Sequence, residues 1–269
     1  MFIFTLKRFP HWTSIKHGCK KYYKNPLLNL KTPEVLPKYH DNIIFKNYTG
    51  NEILFNLKHL PDLRPSEISS ALIELTYRQG LPADYNWNTN ERIQEVVNFA
   101  RTRIPQYPSR VLTTLAYAYH KMGIVDPGSW EALGKNIVKH GNKIESRGLA
   151  YAWGAFIGKG QKEGFYEPTL KYLPNHLANL NGRDLLFIVR AIGKEGIEVG
   201  DLFERLFYRI LLEKKKMCSP EQLQEYLELL RERKDFTTER ENLMVEALEY
   251  KKARREFRIN GAVKASSLI

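Results

Sequence analysis

Four glycines constrain this chain more than any other feature. Gly80, Gly123, Gly160 and Gly196 each follow a helix-like apolar stretch, at intervals of 43, 37 and 36 residues. Glycine is favoured where a helix ends in a left-handed residue, because a Cβ opposes that conformation. The glycines also carry sequence similarity with them. The stretch "VLTTLAYAYHKMGIVDPGSWEAL", residues 111–133, returns as "DLLFIVRAIGKEGIEVGDLFERL", residues 184–206, with seven of 23 positions identical and no gap. The matches are Leu112/Leu185, Ala118/Ala191, Lys121/Lys194, Gly123/Gly196, Ile124/Ile197, Glu131/Glu204 and Leu133/Leu206, and Trp130 faces Phe203. The stretch between them keeps Leu149, Ala155, Gly160 and Leu170 in the same frame.

A two-helix unit cannot bury its apolar stripe alone, so a repeat of this kind predicts stacked neighbours. The spacing predicts first helices over 51–60, 90–104, 128–140, 164–179 and 200–216. Second helices are expected over 65–79, 108–122, 145–158, 182–195 and 219–234. Pro174 interrupts the fourth first helix. Pro65, Pro108 and Pro220 mark helix starts. No alternating run is bracketed by hairpin dipeptides, so strands are not expected. The reading is an all-α solenoid of about five helix-turn-helix repeats with a period of about 36–43. It runs over 51–235, with a basic N-terminal arm over 1–50, a capping helix over 236–258 and a tail over 259–269. Ala118, Ala155 and Ala191 are the small residues expected where successive second helices meet. An ordinary helical bundle with chance similarity is the alternative.

The pattern from Leu112 to Leu133, with its spaced leucines, alanines and "KMG" turn, resembles repeats of the octotricopeptide and heptatricopeptide type. It is also similar to the helical region of FAST-kinase-like mitochondrial proteins. The resemblance covers about residues 50–235 and is best over 108–216. It rests on spaced apolar residues. It implies an organellar protein of a kind that often handles RNA. Larger relatives often end in a small RAP domain of nuclease-like character. After the last repeat only a charged helix and a tail follow here, so no such activity is carried over.

Charge adds a second constraint once it is located. Residues 1–50 hold nine Lys/Arg against two acids, residues 251–269 hold six against one, and residues 51–250 hold 27 of each. The net charge of +12 therefore belongs to the two ends. The first 33 residues have seven Lys/Arg, no acid and interleaved aromatic residues, which is the composition of a mitochondrial import segment. A basic tail outside mitochondria is the alternative. Lys7, Arg8, Lys20, Lys21 and Lys24 in this arm are candidate phosphate contacts, as are Lys251, Lys252, Arg254 and Arg255 at the other end. "KKARREFR" also matches the dipole at the end of a helix, which gives its cations a purely structural reading.

One column of the repeat carries a further candidate site. Arg110, Arg147 and Arg183 occupy the same position, the first turn of three successive second helices. A cation there opposes the helix dipole at a cost of ~0.3–1 kcal/mol, so a row of three invites an anionic partner. Arginine's planar fork suits phosphate. Pairing with Asp126, Glu145 or Asp184 is the structural alternative. Residues 81–162 carry 11 Lys/Arg against six acids, interleaved with Tyr107, Tyr117, Tyr119, Trp130, Tyr151 and Trp153. Such rings stack bases when exposed and fill a core when buried.

Catalytic and metal motifs are thin. Cys19 and Cys218 form no CxxC pair or disulfide framework, and the seven histidines lack a zinc-ligand spacing. "GKGQKEG", residues 158–164, superficially resembles a phosphate loop but lacks its GKS/GKT ending and a preceding strand, so it reads as a turn. Glu91/Glu95 and Glu221/Glu225 read as solvated helix faces. No apolar run nears the ~20 residues of a spanning helix. No cofactor and no metal is expected. The expectation is a non-catalytic mitochondrial RNA-associated scaffold, in the matrix or on the matrix face of the inner membrane. It would belong to the mitochondrial ribosome or an RNA-maturation complex, with RNA on its basic arms and protein neighbours along the repeats. The alternative is a structural accessory subunit of a respiratory-chain or ATP-synthase complex.

Overall fold

Two helices end where the glycines were expected to end them, at Gly123 and Gly196, whereas the helix before Gly160 stops at Ala155. In a computed structural model describing residues 45–77, 86–213, 219–231, 233 and 236–266, Gly123, Gly160 and Gly196 have φ of 66°, 66° and 57°. Gly80 and the arm cations Lys7, Arg8, Lys20, Lys21 and Lys24 lie outside the described residues. The chain is all-α, with no strand among the described residues. It divides into two units, residues 1–85 and 86–269.

In the first unit, α1 (Gly50–Asn56) leads through a 3-10 segment, Leu57–Asp62, to α2 (Pro65–Tyr77). Thr49 and Glu52 form a reciprocal capping box at the start of α1. Ile53, Leu57, Ile68, Leu72 and Leu75 are buried.

The second unit holds α3 (Glu91–Arg103), α4 (Ser109–Lys121), α5 (Pro127–His140), α6 (Ser146–Ala155), α7 (Glu167–Leu170) and α8 (Leu173–His176). It continues with α9 (Gly182–Glu195), α10 (Leu202–Glu213), α11 (Pro220–Arg231) and α12 (Thr238–Ser266). The expected second helices are α2, α4, α6, α9 and α11, each within a few residues of its expected bounds. Consecutive members are neighbours in the second unit: α4 packs on α6, α6 on α9, and α9 on α11. Among the expected first helices, α3 packs on α5 and α5 on the turn at 162–166.

The expected helix over 164–179 is not one helix. It is a π-helical turn at Lys162–Tyr166, then α7, α8 and a 3-10 turn at Leu177–Asn179. Pro168 and Pro174 each fall in the first turn of a short helix, where the missing N–H leaves no bond unmade. Arg209 of α10 ties down the end of this segment, donating to the carbonyls of Leu177, Ala178 and Leu180 at 3.0, 3.1 and 2.8 Å. Pro108 is the cap residue before α4 rather than its first residue. The capping hydroxyl of α12 belongs to Thr237, which accepts from the Arg240 N–H at 3.4 Å. Helix α12 also runs to Ser266, past the expected end at 258. Its Met244, Ala247 and Leu248 are buried, and the helix packs on α11.

A chain of buried rings joins successive helices. Tyr119 meets Trp130, Trp130 meets Phe156 at 5.0 Å, Phe156 stacks on Phe165 at 4.0 Å, and Tyr166 meets Trp153 at 5.1 Å. The polar ends of two rings are satisfied, with Trp130 Nε1 donating to Ile124 O and Tyr166 Oη to Trp153 O, both at 2.9 Å. Ala118, Ala155 and Ala191 are all buried.

Two close approaches between second helices fall at glycines. A Cβ on Gly148 would lie 2.9 Å from Thr113 Oγ1 of α4, and one on Gly154 would lie 2.5 Å from Phe187 Cδ1 of α9. Gly154→Ala is therefore expected to destabilise by about 1–3 kcal/mol, the usual range for overpacking. Gly193, also in α9, has room for a methyl group, whose nearest neighbour would be 3.6 Å away. Gly193→Ala is expected to stabilise by up to ~1 kcal/mol through helix propensity. Thermal melts of the two variants check this pair: opposite signs are expected.

Candidate functional site

The arginine column falls on one register. Arg110, Arg147 and Arg183 are each the second residue of α4, α6 and α9, and all three are exposed. Because α4, α6 and α9 pack in series, the three guanidiniums belong to adjacent helices. Packed helices lie about 8–10 Å apart, which sets the spacing of the row.

Arg147 reaches across to the next helix. Its Nε lies 3.6 Å from Oδ2 of Asp184, a carboxylate that is almost fully buried in the first turn of α9. Asp184 also closes a capping box with Asn181, accepting from the Asn181 N–H while Asn181 Oδ1 accepts from the Arg183 and Asp184 N–H groups. Burial pushes the Asp184 carboxyl above its ordinary value, and the Asn181 N–H and Arg147 pull it partly back. One arginine of the column thus takes the acid that the structural alternative offered. Asp126 is engaged elsewhere. It caps α5 through Ser129 N at 2.9 Å and faces Arg101 at 3.4 Å. The guanidinium of Arg183 takes part in no ion pair among the described residues.

The structure sorts the interleaved aromatics. Tyr107, Tyr119, Trp130 and Trp153 are core. Tyr117 and Tyr151 are partly exposed and stack on one another at 5.1 Å between centroids, with an interplanar angle of 26°. Phe187, also partly exposed, meets Tyr151 edge-on at 5.3 Å and Tyr117 at 6.4 Å. Sequence reasoning missed Phe187. Its signal was present: Arg147/Tyr151 and Arg183/Phe187 are both four residues apart, which puts each ring one turn beyond its arginine on the same face. Tyr117 lies two turns beyond Arg110. Lys121 Nζ stands 5.7 Å from the Tyr117 ring centroid.

The row changes character at the next helix. Arg190 of α9 makes a two-pronged pair with Glu225 of α11, Nη2 donating to Oε2 at 2.7 Å. Glu221, the other acid of its pair, holds Arg255 of α12. Hydrogen bonds from Ser219 and its own backbone, with Arg255, keep the Glu221 carboxyl down at about 2. Arg255 is therefore internally paired, whereas Lys252 and Arg254 are exposed and Lys251 is half-buried. Residues 158–161 form a turn, with Gly158 and Gly160 both at positive φ, and residues 162–164 open the π-helical segment. Among the described residues no group of His, Cys, Asp and Glu is placed to hold a metal ion, and no helix is long and apolar enough to cross a membrane.

The chain matches no protein-family model, and no curated protein matches it.

One titratable group stands close behind the row. Ser146, next to Arg147, has its Oγ 3.0 Å from Nδ1 of His176, whose Nε2 is buried without a partner among the described residues. Burial lowers the His176 pKa from its ordinary value near 6.5. The folded state thus disfavours the imidazolium, so this contribution is full above pH 6.5 and is lost as pH falls from there through the lower folded value. His176→Asn keeps an acceptor for Ser146. Denaturant titrations of both proteins from pH 7.5 to 5.5 are expected to show wild type losing stability faster than the variant. A pH-independent difference contradicts the assignment.

Proposed function

We propose that this chain is a non-catalytic α-solenoid of stacked helix pairs that associates with RNA, a component of the mitochondrial ribosome or of an RNA-maturation complex. One observation carries the reading: Arg110, Arg147 and Arg183 share the second position of three helices packed in series. Each lies against its helix dipole, and a phosphate chain crossing the row offsets that cost. The serial contacts α4–α6–α9–α11 support the solenoid, because in such an array each repeat touches its neighbours. The basic ends supply further contacts without base specificity, and the arm composition supports mitochondrial import.

A structural accessory role in a respiratory-chain or ATP-synthase complex is the second reading. It is favoured by the balanced charge of residues 51–250 and by the internal pairing of Arg147 and Arg255. Sedimentation of native mitochondrial extract with and without ribonuclease separates the two. Ribonuclease-sensitive comigration with ribosomal RNA supports the first, and a ribonuclease-insensitive membrane complex supports the second.

Salt dependence tests the phosphate contacts directly. Each charge contact to a single strand contributes about 0.7 to the slope of log K against log salt. Replacing Arg110, Arg147 and Arg183 with Gln is expected to lower that slope by about 2. Removing residues 1–46 is expected to weaken RNA binding and flatten the slope further. An unchanged slope in the triple variant removes the row from the interface.

A further inference from the structure

We propose that α12 is a self-association surface: two copies of this chain pair through it, antiparallel, across a two-fold axis at Tyr250. The inference goes beyond the RNA reading and does not depend on it.

Helix α12 is longer than the helix it packs on. Its 29 residues span about 43 Å, against about 18 Å for the 12 residues of α11. Met244, Ala247 and Leu248 are buried on the side toward α11. Arg255 reaches Glu221 at the start of α11, so the rest of α12 runs past that helix. A second face stays open. Leu243, Tyr250 and Phe257 stand seven residues apart, two turns, and so share one side of the helix. Leu243 is half-buried, while Tyr250 and Phe257 are 57% and 80% exposed.

Charge names the occupant. Residues 238–249 hold four acids and one cation, and residues 251–257 hold four cations and one acid. The helix dipole acts over the first and last turns, yet these cations lie three turns or more before the end at Ser266. Glu246, Glu249, Lys252 and Arg254 are exposed and take part in no ion pair among the described residues. A second α12, turned end for end, lays its basic stretch on this acidic one. With the axis at Tyr250, Leu243 comes level with Phe257 of the second copy, and Glu246 with Arg254 of the second copy. Apolar and ionic patterns are then both self-complementary, as a two-fold interface requires. A parallel pair would put like charges level instead. An anionic bilayer or nucleic acid laid on this face would meet Glu246 and Glu249 and be repelled by them.

Sedimentation velocity of the nuclease-treated full chain tests this over about 1–100 μM, because an interface of a few helical turns is small and holds weakly. A monomer passing into a dimer is expected. Phe257→Glu is expected to weaken the dimer by about tenfold or more, by placing a charge in the apolar seam. Glu246→Arg and Arg254→Glu each set like charges level twice across the axis, and each is expected to weaken the dimer by about tenfold. Combined in one chain they restore both pairs, and the double variant is expected to return to within about threefold of wild type. All three side chains are exposed, so circular dichroism is expected to be unchanged in each variant. A monomer throughout, a dimer indifferent to these substitutions, or a double variant as weak as the singles overturns the proposal. So does a monomer that floats with cardiolipin-containing vesicles and loses this with Phe257→Glu, which gives the face to lipid.

Discussion

The arrangement of the second unit depends on how closely α4, α6 and α9 approach one another. Two glycines set that distance. Gly148 admits the Thr113 side chain of α4, and Gly154 admits the Phe187 ring of α9. Packing at this density leaves little freedom in register, because a slip of one residue would drive a side chain into a neighbouring backbone. The fixed register is what carries position two of each helix into a single row of arginines. It also brings three rings from three helices within touching distance.

Behind that layer the aromatic core performs a different task. Tyr119, Trp130, Phe156, Phe165, Tyr166 and Trp153 run from one helix pair into the next as buried rings in edge or stacked contact. Polar links add direction to this apolar continuity. Asn88 Nδ2 donates to Gly123 O at 2.9 Å and its Oδ1 accepts from Val125 N at 3.2 Å, which ties the 3-10 turn at Trp87–Thr89 to the turn after α4. Lys159 lies over the Trp130 ring at 4.9 Å, with its Nζ 3.4 Å from Ile124 O. The helix pairs are joined here through ring contacts and through a cation on a carbonyl of the turn between α4 and α5.

Much of this was legible in the sequence because periodic glycines and leucines report backbone conformation and burial directly. Gly123, Gly160 and Gly196 announced their positive φ, and the spacing of Leu112, Leu149 and Leu185 placed α4, α6 and α9. The segment over 164–179 was read as one helix because apolar spacing survives in short pieces. Pro168 and Pro174 break it by restarting the helix, which a 3.6-residue period does not register. The alanines expected at the helix contacts are buried, and two close approaches that were not expected fall at Gly148 and Gly154. The arginine column was visible as an alignment column. The ring column was not, because Tyr117, Tyr151 and Phe187 do not align in one repeat frame. They meet only after Phe187 leans across the gap at Gly154.

The central claim is that RNA lies along the exposed face of α4, α6 and α9. It is tested most directly by crosslinking the full chain to RNA carrying 4-thiouridine, then mapping the attached residues by mass spectrometry. The account predicts crosslinks within α4, α6 and α9, on the peptides that adjoin Arg110, Arg147 and Arg183. Crosslinks confined to peptides outside residues 109–195, or a chain that crosslinks to no RNA, would contradict it.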